Sequence, residues 1–179
     1  MTDRPAAEPQ RTRTVTWEDT APPLARSRTL PGIEFLQAIG RGELPWPPVH
    51  LLLGFAGESF EKGRVRMTFL PGEHHYNPLG VVHGGVLATL MDSVMGCAVQ
   101  SLLPAGEGYT TIDINVTFVR GATVESGRLR AEGEILHLGR RIATAKAQVV
   151  DGKGRLYAHA TSTCMILRPE AGERERSKG

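Results

Sequence analysis

The chain lacks most of the features that announce a macromolecular partner. It has two cysteines in 179 residues. Neither Cys97 nor Cys164 has the spacing of a zinc site or a redox dithiol, so both are expected as buried free thiols. No segment approaches the roughly 18 uninterrupted apolar residues of a membrane span. The N-terminus, "MTDRPAAEPQRTRTVTWEDT", has no apolar run of signal-peptide length. An excess of charge of one sign is missing as well: 21 basic against 19 acidic residues leave +2, which points to neither a nucleic-acid duplex nor an anionic bilayer. The expectation is a soluble, cytoplasmic protein that binds a small molecule, with no nucleic acid and no membrane among its partners. A hydrophobic content of 40% is enough for one globular core, and 179 residues are too short a chain for two ordinary ones.

Local composition divides the chain. Residues 1–26 and 169–179 mix charge, Pro, Ala and Gly without periodicity and are expected as flexible tails around one domain, 27–168. Within the domain, "PGIEFLQAIGRGEL" has the spacing of a short helix, Ile33, Leu36, Gln37 and Ile39, entered after a proline and left at glycines. "PWPPV" breaks the chain. "HLLLGFAGE" and "GRVRMTFLP" are then expected as two strands, the second with Val65, Met67 and Phe69 alternating against Arg64, Arg66 and Thr68.

Four more strands are expected downstream. "TTIDINVTFV" sets Ile112, Ile114, Val116 and Phe118 on one face, and "GRLRAEGEI" sets Leu129, Ala131, Gly133 and Ile135 opposite charged neighbours. "RIATAKAQVVDGKGRLYAHATSTCMIL" has the pattern of a hairpin turning at "DGKG", with small residues on its inner face. Small inner residues let something thick lie close. The candidate is the apolar segment from Gly84 to about Leu103, which is hydrophobic nearly all round and must therefore be enclosed. The predicted fold class is α+β, an antiparallel sheet wrapped around one long central helix.

Inside that helix stands Asp92. Aspartate is a poor helix-interior residue, and burying it unpaired costs several kcal/mol. Gly85, Thr89, Asp92 and Gly96 share one helical face, and the small companions imply the close approach of a ligand or of another chain. The reading without chemistry is that Asp92 anchors a neighbouring strand or a dimer contact. "HGG" opens the helix, so its first N–H groups, which have no intrahelical acceptors, are unobstructed and suit an oxygen that gains negative charge. Gly84 and Gly85 would otherwise serve only as a tight turn. His83 is read as a cap or a ligand-orienting group more readily than as a proton carrier. His74, His75 and His83 lack metal-ligand spacing, and no metal is expected.

These residues together resemble a known family. "NPLGVVHGGVLATLMD", with the downstream "TTIDINVTFVRGA" and "LGRRIATAKAQVVDGKGRLYAHATSTCMIL" and the leading "PGIEFLQAIGRGELPWPP", is similar to hotdog-fold acyl-CoA thioesterases of the phenylacetic acid degradation and 4-hydroxybenzoyl-CoA thioesterase type. The likeness covers about residues 30–168. It implies a homodimer with paired sheets, commonly a dimer of dimers giving a homotetramer, and acyl-CoA bound at the dimer interface. CoA is then part of the substrate, and no cofactor is implied. By position, Asp92 would be the catalytic carboxylate, as base or nucleophile, and the Gly84 amide would polarise the thioester carbonyl. Asn77 and His83 would position thioester or water, with Gly85 beside them on the substrate, and Thr111 would stand near the carboxylate. Arg140 and Arg141 would hold CoA phosphates or ribose, or else mark a solvated strand end. The expected reaction is hydrolysis of an acyl-CoA, possibly an aryl-acyl-CoA, to free acid and CoA. A non-catalytic acyl-CoA binder and, lower, an enoyl-CoA hydratase are the alternatives.

Overall fold

Alternation in the sequence becomes one antiparallel sheet in the computed structural model, which describes residues 11–168. The strands are β1 (Phe55–Glu61), β2 (Arg64–Phe69), β3 (Gly108–Phe118), β4 (Leu129–Leu138), β5 (Ile142–Asp151) and β6 (Leu156–Leu167), in the spatial order β1-β2-β4-β5-β6-β3. Val65, Met67 and Phe69 of β2 face the core, while Arg64 and Arg66 on the other face pair with Glu134 and Glu132 of β4. At the "DGKG" turn the Asp151 carboxylate accepts from the Lys153 and Arg155 amides and from the Arg155 guanidinium, closing β5 onto β6.

Across the inner face runs the long helix, here α4 (Gly84–Gln100), with Leu87, Leu90, Met91, Val94, Met95, Ala98 and Val99 buried. It lies close because its floor is small: Ala131, Ala143, Ala145, Ala147, Ala158 and Ala160 are all buried beneath it. At Gly133 a β-carbon would fall 2.4 Å from the Val94 carbonyl, so helix backbone rests directly on strand backbone there. The helix stops at Gln100, short of Leu103. Ser101 caps it, its hydroxyl donating to the Ala98 carbonyl at 2.7 Å and accepting from the Gly63 amide at 2.8 Å.

Three shorter helices precede the sheet: α1 (Ala21–Ser27), α2 (Gly32–Gly40) and α3 (Pro48–Leu53). The second is the predicted one. The other two differ from the sequence reading. The tail expected over 1–26 overlaps α1, where the Asp19 carboxylate accepts from the Ala21 amide and two prolines preset the first turn. Of the remaining tail residues, 11–20 form no helix or strand, though the Arg13 guanidinium donates to the Leu51 and Leu52 carbonyls, and 1–10 and 169–179 lie outside the described residues. Likewise "HLLL" is not strand. Pro48 opens a helical turn and Gly54, at φ +71°, closes it, so that β1 starts only at Phe55.

The third difference bears on function. Strict alternation would put Ile112 inward with Ile114, but the pairing of β3 with β6 shifts between Thr111 and Asp113. Thr111 therefore lies opposite buried Cys164 and points inward, while Ile112 occupies the bulge and is 55% exposed. No described helix is long and apolar enough to cross a membrane.

Candidate active site

The inward turn of Thr111 has a direct consequence for the carboxylate in the helix. Thr111 Oγ1 donates to Asp92 Oδ1 at 3.0 Å, joining β3 to the middle of α4. The close approach implied by the small helical face is explained in part within the chain. At Gly96 a β-carbon would fall 2.0 Å from the Tyr109 hydroxyl, so Tyr109 covers that end of the face. Burial raises the Tyr109 phenol well above its usual range, with Cys97 and Asp92 adding to the effect. Burial first, then the charge of Asp92, pushes the Cys97 thiol up to about 12. A thiol so raised is no nucleophile at neutral pH, and Cys164 is raised in the same direction by its burial. The group with chemistry to offer here is the carboxylate.

Asp92 opens onto a cavity of about 1480 Å³, ample for an acyl group together with part of a larger ligand. Ser93, Cys97 and Tyr109 share its wall with Asp92, and Trp46, His50 and Phe60 give it an aromatic side. Residues of α1 and the segment before it border it as well, from Glu18 to Arg28.

The opening of α4 forms a separate cluster. His83 is its cap: Nδ1 accepts from the Gly85 amide at 2.9 Å, which leaves Nε2 as the protonated nitrogen of the neutral ring. The Gly85 carbonyl also accepts from Thr89 Oγ1, so the polar groups of Gly85, expected on the substrate, are engaged internally. The Gly84 amide has no acceptor among the described residues. Asn77 builds the preceding loop, its Oδ1 accepting from the Leu79 and Val81 amides, so Nδ2 is the part of its side chain left for a ligand.

The helix brings the two clusters into one element but not into one place. Eight residues separate Gly84 from Asp92, a rise of about 12 Å.

Comparison with known proteins follows the same landmarks. Residues 79–158, from the loop before α4 into β6, match the thioesterase superfamily. The proofreading thioesterase EntH of Klebsiella pneumoniae is 30% identical over 103 residues, covering 58% of this chain and 74% of that protein. The chain belongs to the thioesterase superfamily. A second relative, the 1,4-dihydroxy-2-naphthoyl-CoA hydrolase of Escherichia coli, is 28% identical over 138 residues, covering 75% of this chain and 94% of that one. The crystal structure of a phenylacetic acid degradation-related protein from Ralstonia eutropha JMP134 superposes with a TM-score of 0.66 at 30% identity, covering 72% and 97% of the two chains. This thioesterase therefore has the hotdog fold, and it is a thioester hydrolase.

Arg140 and Arg141 of the thioesterase are exposed at the β4–β5 turn. Strand register places that turn at the same end of the sheet as Thr111, through the row Leu138, Ala143, Cys164 and Thr111. The two arginines line neither the cavity nor the opening of the helix in this chain. His74 and His75 are ring neighbours, and Nδ1 of His75 accepts from the Gly72 amide. Among the described residues no three His, Cys, Asp or Glu side chains gather as metal ligands would.

The sequence reading missed the walls of the cavity. Trp46 lies in "PWPPV", read only as a break, and His50 lies in a segment read as strand. Nothing in the local spacing announced them: Trp46 lies just outside α3 and His50 within it, and the two rings meet, tilted with centroids 5.7 Å apart, only because the chain folds back at the prolines between them.

Proposed function

We propose that the protein hydrolyses an acyl-CoA thioester to a carboxylic acid and CoA, with Asp92 as the reacting carboxylate. The observation that carries this reading is the Asp92 carboxylate, oriented by Thr111 at 3.0 Å and opening onto a cavity large enough for an acyl chain. The thioester carbonyl would accept a hydrogen bond from the Gly84 amide, which lies at the positive end of α4 and strengthens its bond as the oxygen becomes negative. Asn77 Nδ2 and His83 Nε2 would serve as further donors to substrate or water. Either Asp92 takes a proton from water as the water attacks the carbonyl carbon, and the C–S bond breaks to give the acid and CoA thiolate, or Asp92 attacks that carbon itself, the C–S bond breaks to release CoA thiolate, and water then cleaves the acyl-aspartyl anhydride to release the acid and restore the carboxylate.

One protomer does not supply the whole site, because its own Gly84 and Asp92 are about 12 Å apart along the helix. The working site would pair Gly84 of one copy with Asp92 of another. Two features support such a pairing: β3 is an edge strand, and Ile112, Ile114 and Phe118 along it are exposed. At such an interface Arg140 and Arg141 of the β4–β5 turn would be free to meet the phosphates of CoA.

The test is thiol release from a panel of aryl and alkyl acyl-CoAs. Asp92→Asn should lower kcat by about 10²–10⁴ while the protein stays folded and associated. A folded Asp92→Asn protein that hydrolyses at the normal rate would exclude the role assigned to this residue.

A further inference from the structure

Beside Asp92 the cavity wall holds a polar pair that the hydrolysis itself does not use. His50, on α3, is 6% exposed, and its Nε2 lies 3.1 Å from Ser93 Oγ. Its other ring nitrogen, Nδ1, is buried without a partner among the described residues. This arrangement determines which way the protons point. A ring proton on Nδ1 would leave a buried donor unsatisfied, whereas a bare Nδ1 leaves only a lone pair, the less costly vacancy. The proton therefore sits on Nε2 and is donated to Ser93 Oγ. Burial holds the His50 pKa down to about 4, so the ring carries one proton and not two at neutral pH.

With its oxygen accepting from His50, the Ser93 hydroxyl has its own hydrogen still to place. The usual outlet for a hydroxyl within a helix is a carbonyl one turn back. Thr89 takes that outlet, donating to the Gly85 carbonyl at 2.8 Å, but Ser93 makes no such bond among the described residues. Ser93 lines the cavity. Its free hydrogen is a donor facing the space that the acyl group would fill.

We infer that Ser93, oriented by His50, donates a hydrogen bond to an oxygen or nitrogen acceptor on the acyl group, so that the enzyme selects acyl-CoAs carrying such an atom beyond the thioester over their hydrocarbon counterparts. The inference rests on the acyl-CoA reading above and adds the class of acyl group. The aromatic side formed by Trp46 and Phe60 favours a flat ring as the carrier of that acceptor. His50 is a positioning residue in this scheme, and Ser93 is the one that touches the ligand.

The experiment compares kcat/KM for benzoyl-CoA with that for each of the three monohydroxybenzoyl-CoAs. At least one hydroxylated substrate should be favoured by about tenfold or more, because an engaged buried donor is otherwise left unpaired. In Ser93→Ala that ratio should fall towards one, whatever happens to the absolute rates. His50→Phe should lower the ratio in the same way, and His50→Gln, which still carries a donor, should restore part of it. A wild-type ratio near one for all three isomers, or a ratio unchanged in Ser93→Ala, overturns the inference. If no acyl-CoA is hydrolysed the function proposed above fails first. The discrimination is then measured as calorimetric affinity for the same acyl-CoAs, where equal affinities overturn it and a preference abolished in Ser93→Ala upholds it.

Discussion

The two ends of the chemistry on α4 are built by different physics. At the opening of the helix, His83, Gly84 and Gly85 owe their arrangement to local rules: a side chain that caps the Gly85 amide and, at Gly84, an N-terminal amide with no intrahelical acceptor. At its middle, Asp92 owes its setting to residues remote in sequence, Thr111 and Tyr109 from β3 and Trp46 and His50 from the N-terminal segment. One region leaves a backbone donor unpaired and the other shelters a carboxylate. The difference teaches how a single helix can carry both parts of the proposed hydrolytic site while holding them about 12 Å apart.

The sharpest way to break this contrast is to silence each region separately and then combine them. Gly84→Pro removes the amide hydrogen at the first helical position, where the helix itself tolerates proline and His83 already has extended geometry, at ψ 133°, although the Phe118 ring, 2.9 Å from a β-carbon placed there, has to turn aside. Thiol release should fall by about 10²–10³, the usual loss for a donor to a developing oxyanion. Dissociating and remixing Gly84→Pro with Asp92→Asn should restore roughly a quarter of wild-type activity, because half of the mixed pairs would be hybrids with one intact site each. A mixture as inactive as its parents would place both groups of a working site in one chain.

Replacing Thr111 probes the middle region without removing the acid. Thr111→Val should reduce kcat by about tenfold, and Thr111→Ser should retain most of it, since one hydrogen bond to a charged group is lost in the first case only. Equal rates for the two variants would show that the 3.0 Å bond does not orient the carboxylate.

The same region should carry a pH signature in stability. Burial lowers the His50 pKa to about 4, against 6.5 when the chain is unfolded. The unfolded state therefore binds the proton first, and stability is full above pH 6.5 and falls as the pH drops through 4. The loss from this group is on the order of 3 kcal/mol. Urea unfolding at pH 7 and pH 4.5 should show a smaller difference in His50→Gln than in the parent, while His74 and His75, whose pKa values are also lowered by burial, keep part of the slope. At the other end of the contrast, His83→Ala removes the helix cap and should cost about 1 kcal/mol of stability at neutral pH by the same measurement.

Much of the fold was legible because it follows from periodicities of two and of 3.6. Val65, Met67 and Phe69 had to share a face, and an all-round apolar segment had to be enclosed by the small inner residues of the hairpin. The helix-opening half of the site was legible for the same reason, since His83, Gly84 and Gly85 are neighbours in the chain. Asp92 stood out as a carboxylate among apolar residues. Its surroundings did not, because the contacts that define them join residues such as His50 and Ser93 that are 43 apart in sequence.

Thr111 shows where the boundary lies. Alternation along β3 turned it outward, and resemblance alone put it near the acid. What brings it there is a one-residue shift of register against β6, with Ile112 displaced into the bulge. The sequence by itself determined the strands, the buried helix and the acid within it, because each follows from the residues of one segment and their spacing. Only the tertiary structure decided which side chains face that acid, because a bulge and a packed N-terminal segment depend on how distant parts of the chain fit against one another.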